Sequence, residues 1–182
     1  MLGERFAQTL EAARAAADWA WADLYRDLAP SVHGYLRGHG APDADDLVGE
    51  VFLQVVRDLG TFEGGEREFR AWVFVVAHHR LLDEKRRQAR RPVEVTGRVS
   101  DGALSASAQE EALQGLATDA VRGMIERLPV DQRSVLLLRV LGDLTVVEVA
   151  HVVGKSPGAV KALQRRGLQA VLKSLVQEGV TV

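Results

Sequence analysis

Thr145-Val146-Val147-Glu148-Val149-Ala150-His151-Val152-Val153-Gly154-Lys155-Ser156-Pro157-Gly158-Ala159-Val160-Lys161 is the stretch on which the fold turns. Val146, Val149, Ala150 and Val153 recur at helical spacing and give a short helix over 145–153 one apolar face. Gly154 ends that helix, because glycine takes the left-handed backbone such a turn requires. Ser156 is placed to cap a second helix, and Pro157 falls at its first position, where the missing N–H costs nothing. Val160, Leu163, Gly167 and Val171 form the inner stripe of the second helix, and Lys161, Arg165 and Arg166 lie on its outer face. The small Ala150 permits close crossing of the pair. The pattern is that of a helix-turn-helix, whose second helix enters the DNA major groove with its early residues at base edges. Two amphipathic helices with a solvated basic face would share much of it. The stretch from Lys155 to Lys173 contains no acid, which favours DNA because carboxylates are repelled by phosphate.

Outward from this motif the periodicity stays helical. Leu128-Pro129 followed by Asp131-Gln132-Arg133 opens a helix over 134–141 that braces the pair. Towards the N-terminus, Leu24, Leu28, Val32, Tyr35 and Leu36 form a stripe that stops near Gly38 and Gly40. Leu47, Val51, Val55 and Leu59 form the next, with Asp43 after Pro42 as its N-cap. Residues 61–68, with Gly64-Gly65, read as a loop. A long helix over 69–88 points Phe69, Val73, Val76, Leu81 and Leu82 inward and ends in basic residues before Pro92. Strand-like alternation is confined to Pro92–Val99, too short to build a sheet. The fold class is therefore all-α. From Pro92 to about Thr118 the chain turns small and Ser-, Ala- and Gly-rich, although 108–116 has helical character. The spacing predicts two small helical domains, 1–92 and 119–182, joined by a flexible acidic linker over 93–118.

The chain has 182 residues, 47% apolar and 26% charged, with a net charge of −2 and no cysteine. Disulfides, thiolate zinc sites and cysteine nucleophiles are thereby excluded within it. No apolar run approaches the ~20 residues of a membrane span, and Met1-Leu2-Gly3-Glu4-Arg5 lacks a signal-peptide layout, so a cytoplasmic protein without membrane insertion is expected. The near-neutral total hides sign blocks. Asp43 to Glu50 carries four acids and no base, whereas His79 to Arg91 carries Arg80, Lys85, Arg86, Arg87, Arg90 and Arg91 against Asp83 and Glu84. Binding follows the local field, so the blocks mark separate partner surfaces.

Three segments carry a family resemblance. Asp43-Ala44-Asp45-Asp46-Leu47-Val48-Gly49-Glu50-Val51-Phe52 resembles the acidic segment by which bacterial sigma factors dock on core RNA polymerase. Phe69-Arg70-Ala71-Trp72-Val73, followed by Ala77-His78-His79 and Asp83, resembles the helix that melts and reads the promoter minus-ten element. Leu128-Pro129, Arg133 and Val135-Leu136-Leu137-Leu138-Arg139, with the helix-turn-helix after them, are similar to the minus-thirty-five-reading domain. The segments stand in the order and spacing of the extracytoplasmic-function group of sigma factors, over about residues 20–175.

The resemblance implies a division of roles. Asp45, Asp46, Leu47, Glu50 and Phe52 would bind core polymerase at the coiled coil of its clamp. Phe62, Trp72, His79, Arg80, Asp83, Arg86 and Arg87 would meet the minus-ten DNA, with the loop 61–68 receiving a flipped base. His79 stands where the family often has a base-contacting asparagine. Ser156, Lys161, Arg165 and Arg166 would meet the minus-thirty-five element. The polymerase flap and an anti-sigma factor are implied as further partners, with no cofactor or metal. The free protein is expected to be a monomer whose domain separation varies.

The residues admit other readings. Acids near a helix start are favoured by its dipole whether or not they meet a partner, and a lone Trp72 is commonly a core residue. Asp46/Glu50 and His79/Asp83 are i, i+4 pairs that could ligate a metal in a helical phosphohydrolase. No HExxH, phosphate loop or nucleophile elbow accompanies them. A helix-turn-helix regulator binding duplex DNA without polymerase is the alternative within the binding class.

Overall fold

A computed structural model describes residues 2–90 and 122–177 of the chain. After a short turn at Gly3–Arg5, the helices run α1 (Phe6–Arg14), α2 (Asp18–Gly38), α3 (Ala44–Asp58), α4 (Glu66–Arg90), α5 (Val130–Val140), α6 (Val146–Val153) and α7 (Pro157–Gln177). Among the described residues there is no strand. The segment expected to link the domains, with its possible strand at 92–99 and helix at 108–116, lies outside the described residues.

The N-terminal helices pack where their stripes predict. Leu24, Leu28, Val32, Tyr35 and Leu36 of α2 are buried against Leu47, Val51 and Val55 of α3 and Phe69, Val73, Phe74 and Leu81 of α4. Leu82 is only half-buried: successive helical residues differ by about 100°, and Leu81 already takes the inward direction. α1, which the sequence reading did not anticipate, buries Phe6, Leu10 and Ala13. The loop after α3 is shorter than expected because α4 starts at Glu66. Two of its glutamates belong to the helix start: Glu68 accepts the Gly65 N–H at 3.0 Å, and Glu66 accepts the N–H groups of Leu2 and Gly3. Carboxylates there satisfy free amides and face the positive end of the helix dipole.

In the C-terminal half, α5 starts one turn earlier than its stripe suggested and buries Val135, Leu136, Leu137 and Leu138. The Arg133 side chain reaches back to the carbonyls of Ile125 and Leu128, both at 3.1 Å, and fixes the entry into the helix.

The two halves are packed together. α5 lies on the C-terminal end of α2, and α6 lies on the first half of α4. Leu137, Leu138 and Leu144 share one continuous core with Tyr35, Leu36 and Phe74. Apolar side chains at the end of α5 supply the contact, Leu137 against Gly38 and Leu141 against Gly34 of α2.

Two histidines sit at or beside this contact. His39 is buried with Nε2 3.3 Å from Ser134 Oγ, and His78 Nδ1 is 2.7 Å from the Tyr35 hydroxyl. Burial, then the positive charges of Lys85 and Arg133 and the neighbouring His78, pushes His39 down to about 3. Burial, then His79 and Lys85, pushes His78 down to about 4. Both are neutral in the folded chain, whereas an unfolded histidine takes a proton near pH 6.5. Below that pH the unfolded state binds more protons, so stability falls as pH drops from 7 towards 4. At pH 5 the loss is about 2 kcal/mol for the buried His39 and smaller for His78, whose half-buried ring water still partly solvates. Urea unfolding at pH 7 and pH 5 should show it, and a His39→Gln/His78→Gln variant should lose less between the two pH values than the parent. An equal loss in both would remove the histidines as its cause.

Candidate nucleic-acid interface

The acidic ridge is built on α3. Asp43 occupies the N-cap position, although its side chain makes no capping bond. Asp45 and Asp46 are exposed in the first turn, and His33 Nε2 lies 3.3 Å from Asp45. Glu50 is half-exposed and 3.5 Å from Arg87 of α4. Leu47 and Phe52 need correction as partner-binding residues. Leu47 is 4% exposed and Phe52 7%, its ring packed 4.7 Å from that of Tyr25. They hold α3 on the core and so aim the acids outward. The apolar side chains that α3 does expose are Leu53 and Val56.

On α4, spacings of 7, 4, 3 and 4 put Trp72, His79, Asp83, Arg86 and Arg90 in one row. Arg80 and Arg87 flank that row on the side of α3. Arg80 Nη2 donates to Gln54 Oε1 at 2.6 Å, and Arg87 Nε donates to Glu84 at 3.0 Å. Asp83 pairs with Arg86 at 2.9 Å. The result is a polar crevice of about 580 Å³ lined by Glu50, Arg80, Asp83, Arg86, Arg87 and Arg90. Phe62 also needs correction: it is 7% exposed and stacked on Trp72, ring centres 5.2 Å apart. It belongs to a cluster with Phe6 and Phe69 that fixes the half-buried indole, so Trp72 alone of the two reaches the surface. Arg70 turns inward and pairs with Asp27 of α2 at 3.1 Å.

The helix-turn-helix forms as its sequence predicts. Gly154 has φ +63°, and the Ala159 N–H donates to Ser156 Oγ at 3.2 Å. Thr145 adds a signal the reading missed: with Glu148 it closes a capping box, each side chain accepting the other residue's N–H. Burial would raise the Glu148 carboxyl, but the Thr145 bonds and Arg67 outweigh it and hold Glu148 below its ordinary value. Val160, Leu163 and Gly167 are buried, Gly167 against Leu136 of α5, and Lys161, Arg165 and Arg166 are exposed.

The arrangement offers charge-lined surfaces. Among the described residues no group of three or more His, Asp or Glu side chains could hold a metal ion, and Glu50, half of one candidate pair, faces an arginine. No helix of the described residues is long and apolar enough to cross a membrane.

The family models for Sigma-70 region 2 and Sigma-70 region 4 match residues 24–91 and 118–171. The chain is 34% identical over 152 residues to the ECF RNA polymerase sigma factor ShbA of Streptomyces griseus, covering 79% of this chain and 76% of ShbA. This chain belongs to the extracytoplasmic-function sigma factors. Such sigma factors are polymerase-binding and DNA-recognising subunits, not enzymes. This sigma factor is also 32% identical over 174 residues to BldN of Streptomyces coelicolor, covering 94% of this chain but spanning 66% of BldN. Its fold matches that in the structure of CnrH in complex with the cytosolic domain of CnrY, at a TM-score of 0.67, 23% identity, and 93% and 96% of the two chains.

Proposed function

We propose that this chain binds core RNA polymerase and directs it to promoters carrying minus-ten and minus-thirty-five elements. Domain 1–92 supplies core binding and minus-ten reading, domain 119–182 supplies minus-thirty-five reading, and 93–118 joins them. The observation that carries this reading is the polar crevice in which Glu50, from the acidic ridge, meets Arg87, from the basic face. An acid ridge suits a basic clamp surface, and the cations beside it suit the phosphates of the DNA that must lie against that clamp. Asp45, Asp46 and Glu50 meet the clamp coiled coil. Trp72 offers an aromatic face to an unstacked base, with His79, Arg80, Arg86 and Arg87 along the strand and Asp83 orienting Arg86. Lys161, Arg165 and Arg166 face the major groove, with Ser156 at the start of the recognition helix. The protein works in the cytoplasm as a monomer that contacts the flap in the holoenzyme and is restrained by an anti-sigma factor. The complexes of CnrH with CnrY, and of Bartonella quintana RpoE with the anti-sigma factor NepR, suggest that last partner.

Transcription in vitro with core polymerase on a genomic promoter library tests the reading. Core plus this protein should give initiation at promoters sharing two spaced motifs, and the protein alone should not retain them. Duplex binding without core, and no initiation with it, would favour a free-standing regulator instead.

A further inference from the structure

We propose that the N-terminal segment, residues 2–14, positions the minus-ten reading surface, and that Arg14 is the positioning residue through which it acts. The proposal rests on the reading of Trp72 given above. The Sigma-70 region 2 match begins at residue 24, so the segment lies outside it. Its polar contacts nevertheless converge on the loop 62–65 and the start of α4. Arg14 Nη2 donates to the Phe62 carbonyl, 48 residues further along the chain. Arg14 Nη1 donates to Glu11, which holds the guanidinium in that direction. The Glu66 carboxylate accepts the Leu2 N–H and, at 3.0 Å, the Gly3 N–H. The Phe6 ring centre lies 5.5 Å from that of Phe69.

The tie falls where the loop has little stiffness of its own. Gly64, at φ +145°, and Gly65 follow Phe62 with an exposed Glu63 between. Gly64 lies close over the Phe62 ring, where a Cβ would come within 3.1 Å of Cζ. The same ring stacks on Trp72, centres 5.2 Å apart. The Phe62 backbone therefore sets both the course of the loop and the tilt of the indole, and a hydrogen bond to its carbonyl fixes the two together. The other end of the tie is fixed as well. α1 closes with Ala16 at φ +59°, a left-handed backbone that alanine takes at a cost, and with the Ala17 N–H on the Ala12 carbonyl at 2.9 Å. Trp21 Nε1 of α2 donates to the Ala13 carbonyl at 3.1 Å. Arg14 stands between these two fixed points. An indole held in place beforehand loses little further freedom when an unstacked base settles on it, which is what preorganisation contributes to binding.

Arg14 is exposed, outside the buried stripe of Phe6, Leu10 and Ala13, so Arg14→Ala should fold and bind core polymerase as the parent does. Holoenzyme made with it should open promoter DNA roughly tenfold more slowly, the scale of loss expected when a reading group is misplaced. Fluorescence of 2-aminopurine in the minus-ten element reads the opening. Discrimination among minus-ten variants should narrow, while preference among minus-thirty-five variants stays at the parent value. A general loss of stability would not give that split. Arg14→Lys, which keeps a donor for the Phe62 carbonyl, should recover most of the opening rate. Glu66→Ala releases the Leu2 and Gly3 amides at the other end of the segment and should show the same split. Parent-like opening and minus-ten preference in both alanine variants would overturn the proposal, and so would equal losses at the two elements. Parent holoenzyme that opens no promoter would overturn the sigma reading and this proposal with it.

Discussion

Replacing Asp46 and Glu50 together by lysine should weaken association with core polymerase at least tenfold and make what remains less sensitive to salt. Both side chains stand on the outward face of α3, which Leu47, Val51 and Phe52 hold against the core, so the exchange leaves the packing untouched. The local cost is one exposed ion pair, Glu50 with Arg87, of a kind worth about 0–1 kcal/mol. Against a basic partner the change does more than remove attraction. It sets like charges opposite one another, which costs several kcal/mol at an interface and slows encounter as well. Salt screens exposed charges over about 8–10 Å, so the parent should bind more weakly as salt rises while the reversed variant changes little. Titration of labelled protein with core polymerase at two salt concentrations, with circular dichroism as the folding control, measures this. Parent-like affinity in the double variant would take α3 out of the core interface.

How much of this was legible in the sequence depended on whether the physics was local. The helix-turn-helix was readable residue by residue, because Gly154, Ser156 and Pro157 act on their own backbone and immediate neighbours. The capping box was equally local, and Thr145 with Glu148 three residues on was there to be read. The stripe of Phe6, Leu10 and Ala13 was also periodic, though short and remote from any motif. Side-chain exposure was harder. Phe52 and Phe62 look like binding aromatics in the sequence, and only the packing of Tyr25, Phe69 and Trp72 around them makes them core. The contact between domains was not legible. Gly38 reads correctly as the end of α2, but its role as a seat for Leu137 depends on a helix about a hundred residues later.

The same distinction governs the recognition helix, where the charges were legible but their rank was not. Lys161 and Arg165 form one row of α7, and Ala162 and Arg166 form the adjacent row, so the four make a patch on its exposed side. Ala162 is short enough to bring the helix backbone close to base edges. Arg166 folds back, its Nε donating to the Ala162 carbonyl at 3.3 Å, and stays exposed at the rim of the patch. An arginine so placed can grip the O6 and N7 of one guanine, worth about 1–3 kcal/mol of discrimination against the wrong base. Arg166→Ala should therefore reduce preference at one position of the minus-thirty-five element about 5- to 150-fold while changing binding to other sequences little. A phosphate contact would behave differently: affinity would fall on every sequence alike, and the salt dependence would lose about one ion's worth of slope. Selection of minus-thirty-five variants by holoenzyme containing the parent, Arg165→Ala or Arg166→Ala separates the two cases. A uniform loss in Arg166→Ala beside a position-specific loss in Arg165→Ala would move base reading to the row of Lys161 and leave Arg166 on the backbone.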